Sequence, residues 1–374
     1  MENRKDSTAV RFAAIDKYIE RNIVLPTERV VSRPESMVEW GDGNMYPHYL
    51  LSLYRSVPTL ASIINGFTDY IAGDGASLDF SHPASPPGSL NSAGEDMEDQ
   101  VRELARDYAT YGGFALQVIR DLSGEVAEIY HVPTRFLRTN EDCSVFYYSE
   151  KWDRMGRKDI IVYPAFMRLD GGGTEAARAH ASSILYVRGY HTDTYPVPLY
   201  ASAVKACEIE RNIDDYHMND LENSFMGSIM VNFNNGVPED GIKEQIERDF
   251  NEKFSGHRNA GRVMFSWNPN RESRTEITTP AAHDFSDKYN ALAARSRQQI
   301  FTAFRANPNL FGIPTDGNGF SNEEYEESFS LFNRTMVRPV QKLICSAYDR
   351  ILSRPGAAAI TPFSLGNKTT EGGL

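Results

Sequence analysis

ANPNLFGIPTDGNGFSNEEYEESFSLFNRTMVRPVQKLICSAYDRILSR, running from Ala306 to Arg354, decides how this 374-residue chain is organised. It is a loop punctuated by proline and glycine, followed by a long helix. Ser321 with Glu324 three residues on forms a capping box. Glu323, Glu324, Glu326 and Glu327 occupy the first turns, where the helix dipole favours negative charge. Arg334, Arg338, Lys342, Arg350 and Arg354 fill the later turns. Tyr325, Phe329, Phe332, Met336, Val340, Leu343, Ala347 and Ile351 recur every three or four residues, so one apolar stripe follows the helix and must pack lengthwise against a partner. Pro339 has no N–H, and its ring crowds the carbonyl of Thr335. The stripe keeps its phase on both sides, which predicts a kink there rather than a stop.

Composition sets the outer bounds. The hydrophobic fraction of 41% is ordinary for a globular protein, and no linker separates two independent cores. Lys and Arg number 39 against 51 Asp and Glu, a formal net charge of -12. That balance argues against gripping free DNA by phosphate neutralisation and suits a surface that does not stick to nucleic acid. Cys143, Cys207 and Cys345 are far apart and odd in number, giving neither a disulfide framework nor metal spacing, so a reducing cytoplasm is expected. No apolar run approaches a membrane span, and Met1 to Val10 lacks the apolar core of a signal peptide.

Ser7 to Ile23 carries a weak helical pattern and reads as an arm that orders against a neighbour. Glu39 to Pro47, EWGDGNMYP, is a turn cluster. Tyr49 to Ile71 then follows helical spacing interrupted at Pro58, which fits either a helix pair or one kinked helix. After a Pro/Ser/Gly loop over Phe80 to Gly94, a helix from Glu95 to Tyr111 ends at Gly112 and Gly113. From Phe114 the period becomes two: FALQVIRD, GEVAEIYHV, TRFLRTN, CSVFYYSE, KDIIVYPAF and SSILYVRGY predict one antiparallel sheet with helices on one side. Helical spacing returns over Tyr200 to Met226, with a strongly acidic polar side, and again over Ala281 to Phe304. Between them lies a βαββ insert: a strand at Ser228 to Phe233, a helix at Glu239 to Phe254, and strands at Arg262 to Trp267 and Thr275 to Thr279. The fold class is α+β.

Chemistry-bearing motifs are missing. The sequence has no GxxxxGK[ST], HExxH or GxSxG, and Gly171 to Gly173 lacks the lysine of a phosphate loop. The eight histidines are scattered, with His180 and His191 the closest pair. Asp214/Asp215 and Glu323/Glu324 are adjacent on helices, where neighbours diverge too far to share a proton or metal; they read as a solvated face and a dipole cap. Tyr147, Tyr148 and Tyr163 lack flanking cations and read as core rather than a base-stacking platform. No enzyme, cofactor or metal is implied.

The order of the parts is more telling. WGDGNMYP before a helix (Trp40 to Pro47), a long helix before NNGVPEDGI (Asn234 to Ile242), SGHRNAGRVMF (Ser255 to Phe265), and NPNLFGIPTDGNGFSNEEYEESF leading into a helix with Arg338-Pro339 together resemble the HK97-like portal proteins of tailed bacteriophages. The resemblance covers Glu39 to Leu352. It departs from the family pattern at Asn307, Pro308 and Asn309, where a valine and two prolines often stand, and in the short stretch after Ile351.

The resemblance implies a homo-oligomeric ring, usually of twelve copies, at one vertex of the virion capsid, assembled in the host bacterial cytoplasm. Its channel would pass double-stranded DNA without sequence specificity. Implied partners are the large terminase, the major capsid protein or a scaffold, and a head-tail connector protein; no membrane is involved. In family terms residues 1–38 are an arm, 39–198 the wing, 199–227 the first stem helix, 228–280 the clip and 281–305 the second stem helix. Residues 306–320 are the tunnel-loop region, 321–354 the long kinked helix and 355–374 a tail in place of a crown. The channel-facing loop would be Pro314, Thr315, Asp316, Gly317, Asn318, Gly319 and Phe320, and the kink Pro339. The motor-facing clip residues would be Glu239, Lys243, Arg258 and Arg262. The alternative is another virion structural protein, a head-tail connector or tail component, which would not need a glycine-rich loop directly before a kinked helix.

Overall fold

The computed structural model describes residues 28–31, 36–83, 85–152, 159–168, 181–191, 193–224, 230–233, 241–243, 245, 264–267, 285–313 and 322–364. The arm helix expected over Ser7 to Ile23, Gly171 to Gly173, His180, Ser321 of the capping box, most of Glu239 to Phe254 and the strand at Thr275 to Thr279 lie outside them. In chain order the main elements are β1 (Glu28–Val31), β2 (Met37–Trp40), α1 (Tyr46–Ser56), α2 (Pro58–Ala72), β3 (Gly75–Leu78), α3 (Met97–Tyr111), β4 (Gly113–Arg120), β5 (Val126–Val132), β6 (Leu137–Asn140), β7 (Val145–Tyr148), β8 (Ile161–Pro164) and β9 (Ser182–Arg188). They continue with α4 (Val204–Ser224), β10 (Met230–Phe233), β11 (Met264–Trp267), α5 (Phe285–Ala303), α6 (Asn322–Phe332), a π-helical turn (Asn333–Val337), α7 (Arg338–Leu352) and β12 (Ala358–Thr361). The chain is therefore α+β. Its contacts divide into two units, Met1–Cys207 with Arg297–Leu374, and Glu208–Ser296.

In the first unit, Val57 adopts an extended conformation and Pro58 starts a new helix, so α1 and α2 are a pair rather than one kinked rod. Proline is suited to that first position, where its missing N–H has no helical partner to lose. Leu50 and Leu53 of α1 and Leu60, Ile63, Ile64, Phe67 and Ile71 of α2 are all fully buried. Helix α3 begins with a reciprocal cap: the Asp99 N–H donates to Asp96 Oδ1 at 3.0 Å and the Asp96 N–H to Asp99 Oδ2 at 3.5 Å. It ends at Gly112, whose φ of 83° is left-handed. A Cβ there would also stand 2.5 Å from Val197 O, so both conformation and space demand glycine.

The expectation of one antiparallel sheet is corrected. The strands form a five-stranded sheet in the order β1-β2-β6-β7-β8 and a three-stranded sheet in the order β5-β4-β9. Between them, the Phe166 N–H donates to Ile184 O at 2.7 Å. Strands β4 and β5 pair as a hairpin, as their alternation predicts. After β5, however, Pro133 and the 3-10 turn Thr134–Phe136 redirect the chain, and β6 takes β2 as its neighbour instead of β5. Strand β2 is a second correction: Glu39 and Trp40, read as part of a turn cluster, end a strand whose Met37, Val38 and Trp40 are buried. The sequence reading named no strand at β3 or in the tail, where β12 returns to pair antiparallel with β3.

The stripe of the long helix packs on α2 and α3. Phe332 meets Phe67 edge-on at 5.7 Å, Gln341 Nε2 donates to Ile71 O at 2.9 Å, and the Tyr348 hydroxyl donates to Gln100 Oε1 at 2.8 Å. In the second unit, α4 and α5 meet through Tyr216 and Tyr289, ring centroids 4.9 Å apart. Strands β10 and β11 pair in parallel, Met230 opposite Met264 through Phe233 opposite Trp267. A parallel pair cannot be closed by a tight turn and needs a crossover; residues 241–243, between the two strands, are helical.

Candidate functional site

The stretch that enters the glycine-rich loop is built from short-range hydrogen bonds. Asn307 is extended and its side chain accepts from the Asn309 N–H at 3.1 Å, capping a 3-10 turn over Pro308–Phe311. Asparagine is favoured there because its short side chain supplies an acceptor for the unsatisfied N–H groups of the first turn. Gly312 closes the turn with a φ of 75°, left-handed backbone that glycine adopts without strain.

This turn is fixed to helix α2. The Tyr70 hydroxyl donates to Leu310 O at 2.7 Å and the Ser62 hydroxyl to Phe311 O at 3.0 Å, so two consecutive carbonyls are held by one helix face. The Tyr70 ring sits among Phe311 at 5.9 Å, Phe329 at 5.4 Å, Phe332 at 6.1 Å and Phe363 at 5.3 Å. Burial, and then its bond with Tyr325, pushes the Tyr70 phenol well above its usual range, so it remains a neutral donor. Across the loop, Asn307 Nδ2 donates to Ser328 Oγ at 3.3 Å, joining the strand of chain before the loop to α6 after it. Both ends of the loop are thus set on the same aromatic cluster. Pro314, Thr315, Asp316, Gly317, Asn318, Gly319 and Phe320 themselves lie outside the described residues.

Beyond the loop the long helix is irregular just before Pro339. The Arg338 N–H bonds to Asn333 O, the wide spacing of a π turn, and Pro339 follows in the first turn of α7. The physical cause is local: Pro339 has no N–H to offer the Thr335 carbonyl, and a wide turn is one way of absorbing that loss. The Thr335 hydroxyl, bonded to Leu331 O at 2.7 Å, adds a competing donor in the same stretch. The turn inserts without breaking the buried face, which continues through Met336, Val337, Val340, Ile344, Ala347, Tyr348 and Ile351. Of the clip residues, Lys243 lies half-buried in the helical segment 241–243, while Glu239, Arg258 and Arg262 lie outside the described residues.

Sequence reasoning singled out Trp40 to Pro47 without finding what it does. Gly41, Gly43 and Asn44 all have positive φ, folding the segment back so that Asn44 Oδ1 accepts from the Trp40 N–H at 3.0 Å and from Arg138 Nε at 3.0 Å. Arg138 is wholly buried. Its Nη1 donates to Arg135 O at 3.0 Å and Leu137 O at 2.5 Å, its Nη2 donates to Asn44 O, and its guanidinium lies over the Trp152 ring at 4.8 Å. Burial lowers its pKa to about 10, which still leaves it charged at neutral pH. The motif is therefore a clamp between the entry to α1 and β6. Nothing in TRFLRTN, which carries Arg135 as well, marked Arg138 as the arginine to be buried.

A second buried polar tie joins α3 to β5. Asp107 Oδ2 accepts from the Thr134 N–H at 2.8 Å and lies 3.0 Å from His131 Nε2. Its members hold backbone and each other, which is a structural role. Among the described residues no group of three or more His, Cys, Asp or Glu is placed to hold a metal ion, and no helix is long and apolar enough to cross a membrane.

Comparison with known proteins bears on this arrangement directly. Residues 92–364 match the family model described as phage portal protein. An uncharacterized protein of Rickettsia felis is 25% identical over 234 residues, covering 60% of this chain and 54% of that one. One of Rickettsia bellii is 26% identical over 166 residues, covering 43% and 41%. The matches thus span about half or less of these curated relatives. Among solved structures, the neck of an empty gene transfer agent particle, computed with C6 symmetry, superposes with a TM-score of 0.55 at 17% identity, covering 97% of this chain and 91% of that one. The neck of a native particle, computed with C12 symmetry, gives 0.53 at 17% identity, covering 84% of each. At such identities the likeness is one of fold.

Proposed function

Because this chain belongs to the phage portal protein family, we propose that it is the virion subunit that closes head to tail into a ring, usually of twelve copies, at one capsid vertex. Through that ring's channel DNA enters during packaging and leaves during ejection, with the large terminase and later a head-tail connector docking on its outer end. The carrying observation is the family match over residues 92–364. The anchored loop base supports it: a loop whose two flanks are tied to one cluster by Tyr70, Ser62 and Asn307 can present its tip at a fixed radius while the tip itself changes shape.

In this reading residues 39–198 form the wing, α4 and α5 the stem, 228–280 the clip, and 314–320 the tunnel loop. The loop has no Lys or Arg and one carboxylate, Asp316, so its contact with DNA is steric or through backbone N–H groups and Asn318 rather than by neutralising phosphate. The π turn ahead of Pro339 is where the helix behind the loop yields as DNA passes.

Imaging the purified protein tests the first part. A closed ring with a central hole is expected, and monomer alone at every salt and concentration tried would overturn it. Replacing Thr315 to Gly319 by a shorter linker tests the second. Rings should assemble while packaging or retention of the genome falls; normal packaging of full-length DNA would reduce the loop to a connector.

A further inference from the structure

The long helix carries two exposed charge patches of opposite sign, and among the described residues neither has a partner of the other sign. Glu323, Glu326 and Glu327 are exposed in the first turns of α6. Arg334, Arg338 and Lys342, four residues apart and hence one turn apart, are exposed across the π turn and the start of α7. No side chain of these six makes an ion pair or hydrogen bond, either in the contacts described above or elsewhere in the described chain.

Helix electrostatics account for only part of this. The dipole favours acidic groups in the first turn and basic ones in the last, and its effect fades within a turn. Arg334, Arg338 and Lys342 lie well inside a helix that runs on to Leu352, so the dipole does not place them there. Like charges one turn apart repel and weaken a helix. The basic row is internally repulsive, and so is the acidic one. On a chain of net charge -12, an exposed basic row without a carboxylate beside it is out of keeping with the rest of the surface.

We infer that these two patches are the two halves of one interface between copies of this chain. The acidic first turns of α6 in one copy dock against the Arg334–Arg338–Lys342 row of the next. A single copy cannot satisfy either patch from its own helix, whereas one repeated head-to-tail contact satisfies both at once. Unlike patches that meet across a contact suit a heterologous interface, which generates a ring where its rotation closes. Leu331, exposed at 57% between the two patches, gives the contact an apolar centre with charged flanks. The inference rests on the ring proposed above and names the surface that sets its register.

A charge swap on the full-length protein tests it, read by light scattering and imaging at fixed protein concentration. E323K/E326K/E327K and R334E/R338E/K342E should each lose most of their rings. An equal mixture of the two, or one chain carrying all six changes, should regain them. Either triple variant assembling as the parent does, or two folded triple variants whose mixture stays monomeric, overturns the inference while leaving the ring itself standing. So does a basic-row variant that keeps its rings but loses binding to duplex DNA, since the row's partner is then nucleic acid. If a reversal variant fails to fold, glutamine substitutions at the same positions serve, with a salt titration beside them. Rings of the parent protein should loosen as salt rises and those of the glutamine variants should be insensitive, because exposed ion pairs are screened; equal salt sensitivity overturns the inference. A parent protein that forms no ring at all fails the proposed function instead.

Discussion

Gly66 of α2 and Phe311 of the 3-10 turn are packed so closely that a Cβ on Gly66 would stand 2.7 Å from Phe311 Cδ1. The ring has nowhere to retreat. Phe301, Tyr70 and Phe332 surround it at centroid distances of 6.2, 5.9 and 5.6 Å, and its own carbonyl is held by Ser62. Gly66→Ala would gain up to about 1 kcal/mol of helix propensity, but overpacking a filled site costs about 1–3 kcal/mol. The net expected outcome is a lower urea midpoint. Pairing it with Phe311→Leu, which vacates part of the ring's space, should recover some of the loss; a Gly66→Ala protein more stable than the parent would show that the ring can move.

Tyr70→Phe removes the hydroxyl that serves Leu310 O without altering the aromatic cluster. A buried carbonyl left without its donor costs about 1–3 kcal/mol. Denaturant unfolding should show that loss in the midpoint with an unchanged slope. Hydrogen exchange should quicken at residues 308–313 more than elsewhere in the first unit, and a uniform change would deny the local anchoring.

Asn44→Ala strips the acceptor shared by the Trp40 N–H and Arg138 Nε, and sets alanine at a φ of 66°. Leaving a buried charge short of a partner is the costly part, so a loss of about 3 kcal/mol or more is expected. Asn44→Gly removes the strain but not the missing acceptor. It should recover only a minor share, and a full recovery would show that conformation rather than hydrogen bonding fixes this residue.

His131 predicts a pH dependence. Burial opposes the charged ring, but Asp107 at 3.0 Å, helped by Glu103 and Glu95, outweighs it and raises the pKa in the folded state. A raised pKa contributes stability that is fully present below the unfolded value of about 6.5 and is lost as pH rises through the folded value. The gap in unfolding midpoint between the parent and His131→Gln should therefore be wider at acid pH than at mildly alkaline pH. A gap that widened with rising pH would contradict the pairing.

Arg258→Glu and Arg262→Glu test the clip. If this insert faces the packaging motor, both changes should impair terminase docking in a pull-down while rings remain intact, and unaltered docking would reject the assignment.

Much of this was legible because it is local. The period of three to four residues from Tyr325 to Ile351 fixes a helix and its buried face, since side-chain direction depends only on backbone geometry within a turn or two. Alternation from Phe114 onward marked the strands for the same reason, and Gly112 marked a helix end. The family resemblance, carried by turn residues in fixed order, was readable because turns are also local.

Partnership was not legible. Two-residue alternation says which face of a strand is buried, but not that β6 joins β2 rather than β5, or that β12 comes back to β3. Those choices are made by contacts between segments far apart in sequence, whose gain must exceed the entropy of closing the intervening chain. The same holds for Asn44 with Arg138 and for Gly66 with Phe311. Each residue is unremarkable among its sequence neighbours and acquires its role only when packing removes water from both. The sequence by itself determined the long helices, the strands from Phe114 to Tyr190, and the family. Only the tertiary structure decided which faces meet, because burial is a property of two surfaces and each stretch of sequence describes one.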